Sequence, residues 1–352
     1  MTSRDGAQQA ERELLRACDS GLDAAALHRQ VLRSLRRLMP VDAAFFATAD
    51  PGTLLFTGAW SEAPLAGASE LFMASEFGGT DVNRFTALAT APLPVASLDG
   101  TTHDDRWASP RYREIMRPLG LGDELRAALV AGGRCWGYLC LHREDSRLGF
   151  SPADVGLIAR LGPRIAHGLR GAALLAGSPD AAAGGPPGVL VLSAELEVVA
   201  ASAAAEELLS TVAGARTGAR LPLAVRALAM ALRAREADDT APPPSVRLPT
   251  RSGGWLTVHA SWLSGPGEER RISVVLAPAR PADMVPLLLA AHGLTPREAE
   301  VARLVLRGTS TAAIVDTLHI SRYTVQDHLR AVFDKVGVRS RRDLAGRLLG
   351  QA

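Results

Sequence analysis

Lysine is almost missing from this chain: of 39 basic residues in 352, only Lys335 is lysine. A Walker A phosphate loop needs a lysine after its glycines, and a phospho-receiver domain needs one beside its acidic pocket, so neither fits upstream of Lys335. Arginine, alanine, glycine and proline stand in its place, the bias of a GC-rich bacterial genome. Cysteine is scarce too. Cys18, Cys135 and Cys140 are odd in number and widely spread, which argues against a disulfide framework and leaves free, buried thiols as the expectation. Nowhere do about 18 uncharged apolar residues run together, and "MTSRDGAQQAERELLRACDS" carries charges throughout. No membrane span or signal peptide is expected, and the cytoplasm is the expected location.

Hydrophobic residues make up 47% and charged residues 22% of the chain, the proportions of folded protein. The length exceeds one ordinary core, so two or three domains are expected. Two stretches rich in Gly, Pro and small residues, Leu174 to Gly188 and Ala277 to Pro286, read as linkers.

Ahead of the first linker, Leu27, Val31, Leu35 and Leu38 recur at helical spacing. "DAAFFATAD" and "TLLFTGAW" read as strands around the turn "DPG", and "LRAALVAGGRCWGYLCLHRED" as a hairpin around "AGG". A helix in "SPADVGLIARLGPRIAHGLRGAALL" follows, capped by Ser151 and Asp154. This order, and the phrase "RCWGYLCLHRED…FSPADVGLIARLGPRIAHGL", resemble a GAF domain. Between the linkers, "GVLVLSAELEVVAASAAAEELL" reads as strand, turn, strand and helix, and "SVRLPT", "WLTVHASWL" and "RISVVLAPA" as three closing strands. That part is similar to a small PAS domain, with Ser202 where many have asparagine.

The C-terminal part is the most legible. Thr295-Pro296-Arg297-Glu298 meets three requirements of a helix start: a hydroxyl for the N3 amide, proline at N1, and a glutamate that reaches back. A second short helix, capped by Thr309 or Ser310, turns Ile314, Val315 and Leu318 inward. After the tight turn "HIS" comes a third, in which Val325, Leu329, Val332 and Val336 share one side while Tyr323, Gln326, Asp327, Arg330 and Asp334 face out. From His292 onward there are ten basic and six acidic residues, a net of +4 in a chain whose total is +2. Basic charge therefore sits where a polyanion would bind.

"LTPREAEVARLVLRG", "STAAIVDTLHIS" and "TVQDHLRAVFDKVGVRSRRDL" together resemble the LuxR-type helix-turn-helix, departing from its common residues at Ala313, Val315 and His319. The resemblance implies a third helix in the DNA major groove, with Gln326, Asp327 and Arg330 facing bases and Thr324, Lys335 and Arg339 near phosphates. It also implies a fourth helix, roughly Arg341 to Leu349, that supports dimerisation through Leu344, Leu348 and Leu349. Geometry agrees: a major groove about 12 Å wide admits one helix, and Gln and Arg match adenine and guanine edges.

The fold class that follows is multidomain α+β, with GAF-like and PAS-like sensor domains ahead of an all-α four-helix LuxR-type domain. The expected boundaries are a helical extension at 1–26, the GAF-like domain at 27–172, a linker at 173–187, the PAS-like domain at 188–279, a linker at 280–290 and the DNA reader at 291–352. Its expected partners are double-stranded promoter DNA, RNA polymerase, a small-molecule or protein effector and a second copy of itself. An adaptor that contacts the transcription machinery, or an enzyme acting through the GAF-like part, are the alternatives.

Other chemistry-bearing residues read as ordinary. Cys140 and His142 alternate onto one strand face and Cys135 onto the other, without C-x-x-C or H-x-x-x-H spacing, so packing rather than a metal or other cofactor is expected, with His103 apart upstream. Trp107, Trp136 and Tyr138 are candidates for a sensory pocket. "HDDRWASPRYRE" assembles no nucleophile with a base, reads as a solvated loop, and leaves no catalytic residue to name.

Overall fold

The computed structural model describes residues 4–145, 148–176, 185–212, 221–235, 244–263 and 270–350. Two helices open it, α1 (Arg4–Asp19) and α2 (Ala24–Leu38). Asp23 caps α2 by accepting from Ala26 N at 2.7 Å, and Leu27, Val31 and Leu35 form its buried stripe. Then come β1 (Ala43–Ala49), β2 (Phe56–Ser61), α3 (Ser69–Gly78), α4 (Phe85–Thr90), β3 (Val95–Ser97), α5 (Leu98–Thr102), β4 (Leu121–Ala131), β5 (Arg134–Glu144) and α6 (Pro152–Leu175). The strands form one antiparallel sheet ordered β2-β1-β5-β4-β3. Helices α2 and α6 pack on one face and α4 on the other. The expected capping box at α6 is present, Ser151 N donating to Asp154 at 2.8 Å and Asp154 N to Ser151 Oγ at 3.3 Å.

A second sheet follows from β6 (Gly188–Leu192), β7 (Val198–Ala201), α7 (Ala203–Thr211), α8 (Leu223–Ala234), β8 (Ser245–Pro249), β9 (Trp255–Leu263) and β10 (Arg271–Pro278). Its order is β7-β6-β10-β9-β8, again antiparallel. Ser202 closes the entry to α7, accepting from Val189 N at 3.0 Å and from Ala205 N at 3.3 Å. Buried Asp50 accepts from half-buried Arg247 at 2.8 Å, which ties this sheet to the first.

The last helices are α9 (Pro281–Ala291), α10 (Pro296–Leu306), α11 (Thr311–Leu318), α12 (Arg322–Val336) and α13 (Arg341–Leu349). Residues 280–290, expected to be a linker, are mostly helix α9, because Met284, Val285, Leu287, Leu288 and Leu289 are buried between α6 and the C-terminal helices. Pro281 and Pro286 fit a linker by composition, yet the first sits at N1, where proline suits a helix. Of the expected linker 173–187, Leu175 and the residues before it close α6, and 177–184 lie outside the described residues. No helix among the described residues is long and apolar enough to cross a membrane.

Candidate nucleic-acid interface and buried cavity

Helix α12 owes its position to α10 and α11. In the box that opens α10, Thr295 N donates to Glu298 at 2.8 Å and Glu298 N to Thr295 Oγ1 at 3.3 Å. Ser310, not Thr309, caps α11. His319 then takes a left-handed conformation, φ +52, and Ser321 caps α12 by accepting from Thr324 N at 3.0 Å. Val325, Leu329, Val332 and Val336 are buried against α10 and α11, the side that the spacing assigns to the core.

The opposite face is open. Tyr323 is 76% exposed, Gln326 and Arg330 are exposed, and Asp327 is half-buried. Arg330 donates to Asp327 at 3.2 Å, so the carboxylate that would repel a phosphate is partnered one turn away. The Thr324 hydroxyl lies 2.9 Å from Ser321 Oγ, and Arg339 is exposed beyond Gly337, which ends α12.

Lys335 donates to both Glu298 oxygens, at 2.7 and 2.9 Å, and so ties α12 to the start of α10, while its side chain stays 36% exposed. Burial would raise the Glu298 carboxyl, but Lys335 and Thr295 hold it below its usual value. Leu344 and Leu348 are 0% and 2% exposed, in one cluster with Met284 and Leu288 of α9, so in this protomer they are core rather than dimer surface; Leu349 is half-buried. An apolar helix face is visible in sequence, whereas the upstream helix that covers it is not.

A second site lies inside the first sheet. Strands β4 and β5 pair Glu124 with His142 and Arg126 with Cys140, and all four side chains are buried on the face that carries α4. Arg111 Nε donates to Glu124 at 2.7 Å, Arg111 N to Asp81 at 2.7 Å, and Arg126 to Glu76 at 2.8 Å while its guanidinium lies over Phe85. Burial alone would raise the Glu124 carboxyl, yet the charges of Arg111 and Arg126 bring it down to about 2. Burial lowers His142 to about 4 and pushes the Cys140 thiol well up, the latter helped by Glu124. Beside these groups is a small cavity of about 40 Å³, walled by Phe45, Phe72, Met73, Glu124, Cys140 and His142 among others.

The candidate pocket aromatics do not meet. A bulge leaves Trp136 without a partner between the pairs Leu129–Gly137 and Val130–Cys135. Beyond it the alternation reverses, so Trp136 packs toward α6 whereas Tyr138 lies on the cavity side. The same bulge brings Cys135 onto the face of Cys140, against strict alternation, although its thiol donates to Gly137 O at 3.3 Å and stays out of the cluster. Gly137 is required there, since a Cβ would lie 2.4 Å from Ala47 O. Trp107 is 53% exposed and packs edge-on to Tyr112 under Arg117. Nor is "HDDRWASPRYRE" a solvated loop: Arg106 pairs with Asp99, and Arg111 is 1% exposed. The signal missed was Glu124 and Arg126 at i and i+2 inside "GDELRAALV", two charges on one face of a strand that carries a third, Asp123, on the other.

Residues 292–347 match the family described as bacterial regulatory proteins, luxR family, and residues 23–169 match the GAF domain. No curated protein matches the chain. Among solved structures, Escherichia coli SdiA is similar at 14% identity and a TM-score of 0.37, covering 97% of each chain. Vibrio cholerae VqmA, in a complex with ligand and DNA, is 19% identical over 46% of this chain and 82% of its own, with a TM-score of 0.25. The VqsR LBD domain from Pseudomonas aeruginosa is 18% identical over 47% of this chain and 94% of its own, with a TM-score of 0.32. At such scores these likenesses carry no argument.

Proposed function

We infer that this chain, with a GAF domain at its N-terminus and a luxR-family regulatory domain at its C-terminus, is a cytoplasmic one-component transcription regulator rather than an enzyme. The observation that carries the reading is the outward face of α12, where Gln326 and Arg330 stand exposed on a helix fixed from behind by four buried apolar residues. Such a helix enters a major groove, where Arg330 reads guanine and Gln326 adenine, with Thr324 and Arg339 toward phosphates. Asp327 orients Arg330 through their 3.2 Å contact. The effector acts on the GAF unit, and the second sheet is a PAS-like relay. Promoter-bound protein works as a dimer held by its upstream units, with RNA polymerase as its downstream contact.

The test is fluorescence anisotropy on a palindromic operator, selected from random duplexes by the full-length protein and titrated over a salt series. Arg330→Ala should lose about 1 to 3 kcal/mol on the selected site and relax preference at one base pair. Unchanged affinity and preference would remove α12 from the groove. Absence of any salt-dependent DNA binding would favour the adaptor reading.

A further inference from the structure

Among the described residues, Glu124, Cys140 and His142 form a group whose side-chain ligand atoms all lie within 4.8 Å of one another. Cys140 Sγ is 3.1 Å from His142 Nε2 and 3.3 Å from Glu124 Oε2, and the last two are 3.9 Å apart. A tetrahedral ion with bonds of about 2.3 Å to sulfur and 2.0 to 2.1 Å to nitrogen and oxygen sets its ligand atoms about 3.3 to 3.6 Å apart. Sulfur stands about 0.2 to 0.5 Å nearer its two partners than that figure asks, and imidazole and carboxylate stand about 0.6 Å further apart, displacements that small side-chain rotations on binding supply. Its fourth corner has room, because all three residues wall the cavity.

Three further observations point to a cation. The buried charges around the triangle are the carboxylates of Glu76, Asp81 and Glu124 against the guanidiniums of Arg111 and Arg126, which leaves one negative charge uncompensated. With Cys140 as thiolate the deficit is two, and a divalent ion closes it. Next, His142 is 1% exposed, its Nδ1 has no hydrogen-bond partner, and the polar neighbours of Nε2 are Cys140 and Glu124 themselves. Hydrogen bonding to the rest of the protein does not account for the burial of this imidazole. Last, Glu124 is held from outside the triangle: Arg111 Nε fixes Oε1 at 2.7 Å and leaves Oε2 turned toward sulfur and imidazole, the outer support that ligating carboxylates commonly have.

We propose that Glu124, Cys140 and His142 are the protein ligands of one divalent transition cation of borderline softness, Zn²⁺ or Fe²⁺ in type, with a remaining coordination position open to the cavity. One thiolate, one imidazole and one carboxylate are the donor set that such ions share, and alkaline-earth ions prefer oxygen alone. On binding, the sulfur–metal bond replaces the S–H bond of Cys140, and the proton leaves to solvent. The open position faces Phe45, Phe72 and Met73, so its exogenous ligand is small: water or a diatomic molecule. The assignment stands on the first sheet alone and does not depend on DNA binding.

The full chain, stripped with chelator under reducing conditions and titrated with Co²⁺, tests it. One equivalent should bind with a thiolate-to-cobalt charge-transfer band and the visible bands of tetrahedral cobalt, and Zn²⁺ should displace it. Cys140→Ser should abolish the charge-transfer band and His142→Gln should weaken binding at least tenfold, while Cys135→Ser and Cys18→Ser keep the wild-type spectrum. A second measurement uses the wild-type protein, so it stands even where a variant fails to fold. Saturating Zn²⁺ should slow alkylation of Cys140, located by peptide mass spectrometry, at least tenfold and leave Cys135 unaffected. A wild-type chain without the charge-transfer band, a band that survives Cys140→Ser, or alkylation of Cys140 indifferent to Zn²⁺ overturns the site.

Discussion

Counted from the first strand of each, the two sheets have the same order: β2-β1-β5-β4-β3 and β7-β6-β10-β9-β8. What lies against them differs. The first buries Glu76, Asp81, Arg111, Glu124, Arg126 and His142 beside a cavity. The core of the second is apolar throughout, Leu190, Leu228, Val258, Ile272 and Val274 among its members, and Ser273 is the one polar residue among its described buried strand positions. One topology thus carries two different interiors, because strand order fixes which positions face inward but not what chemistry stands there. A core of paired charges is held at a cost in desolvation that an apolar core avoids.

Arg111→Met should sharpen this contrast most. Removal of one partner strands Glu124 and Asp81 in the interior and should cost about 3 to 5 kcal/mol. Hydrogen exchange would register it in the amides of β4 and β5, with β9 and β10 little changed. Equal losses in both sheets would show that they open as one unit and break the comparison. Ile272→Ala, in the apolar core, should cost about 2 to 5 kcal/mol through the cavity it leaves, read in β9 and β10, without altering any ligand response of the first sheet.

The smallest effect expected is one of pH. His28 stacks on Trp60 with ring centroids 4.9 Å apart, and neither ring nitrogen has a partner. Burial lowers it from 6.5 to about 4. The unfolded chain therefore takes up this proton first as pH falls below about 6.5, so the contribution is complete at neutral pH and shrinks on acidification. About 1 to 2 kcal/mol should be lost by pH 5, visible as a falling melting temperature of the first sheet that His28→Phe flattens. His259, the histidine of the second sheet, is exposed. A matching acid loss in the second sheet would contradict the difference drawn here.

How far these features could be read in sequence follows from the range over which each is determined. The capping boxes at Ser151 and Thr295 and the inward face of α12 depend on residues within a few turns, and spacing reveals them. The shared strand order was legible only as a common α+β style, since sheet order is settled by contacts far apart in sequence. The buried cluster joins Glu76, Asp81, Arg111, Glu124 and His142 across five separate segments, and the bulge at Trp136 decides which side chains it can include. No local pattern encodes that. The ion pair of Lys335 was out of reach for the same reason, because its partner Glu298 stands 37 residues away.

Helix α9 separates the sensor from the reader, yet it is packed on both, against α6 on one side and α10 and α13 on the other. A packed helix has an angular phase, as a flexible tether does not. One residue added within it turns everything that follows by about 100° and advances it by about 1.5 Å. The face of Gln326 and Arg330 would swing through more than a quarter of a circle relative to the GAF domain, and α13 would lose its seat on Met284 and Leu288. A change in the length of this segment therefore alters the direction of the reading face as well as its distance from the first sheet.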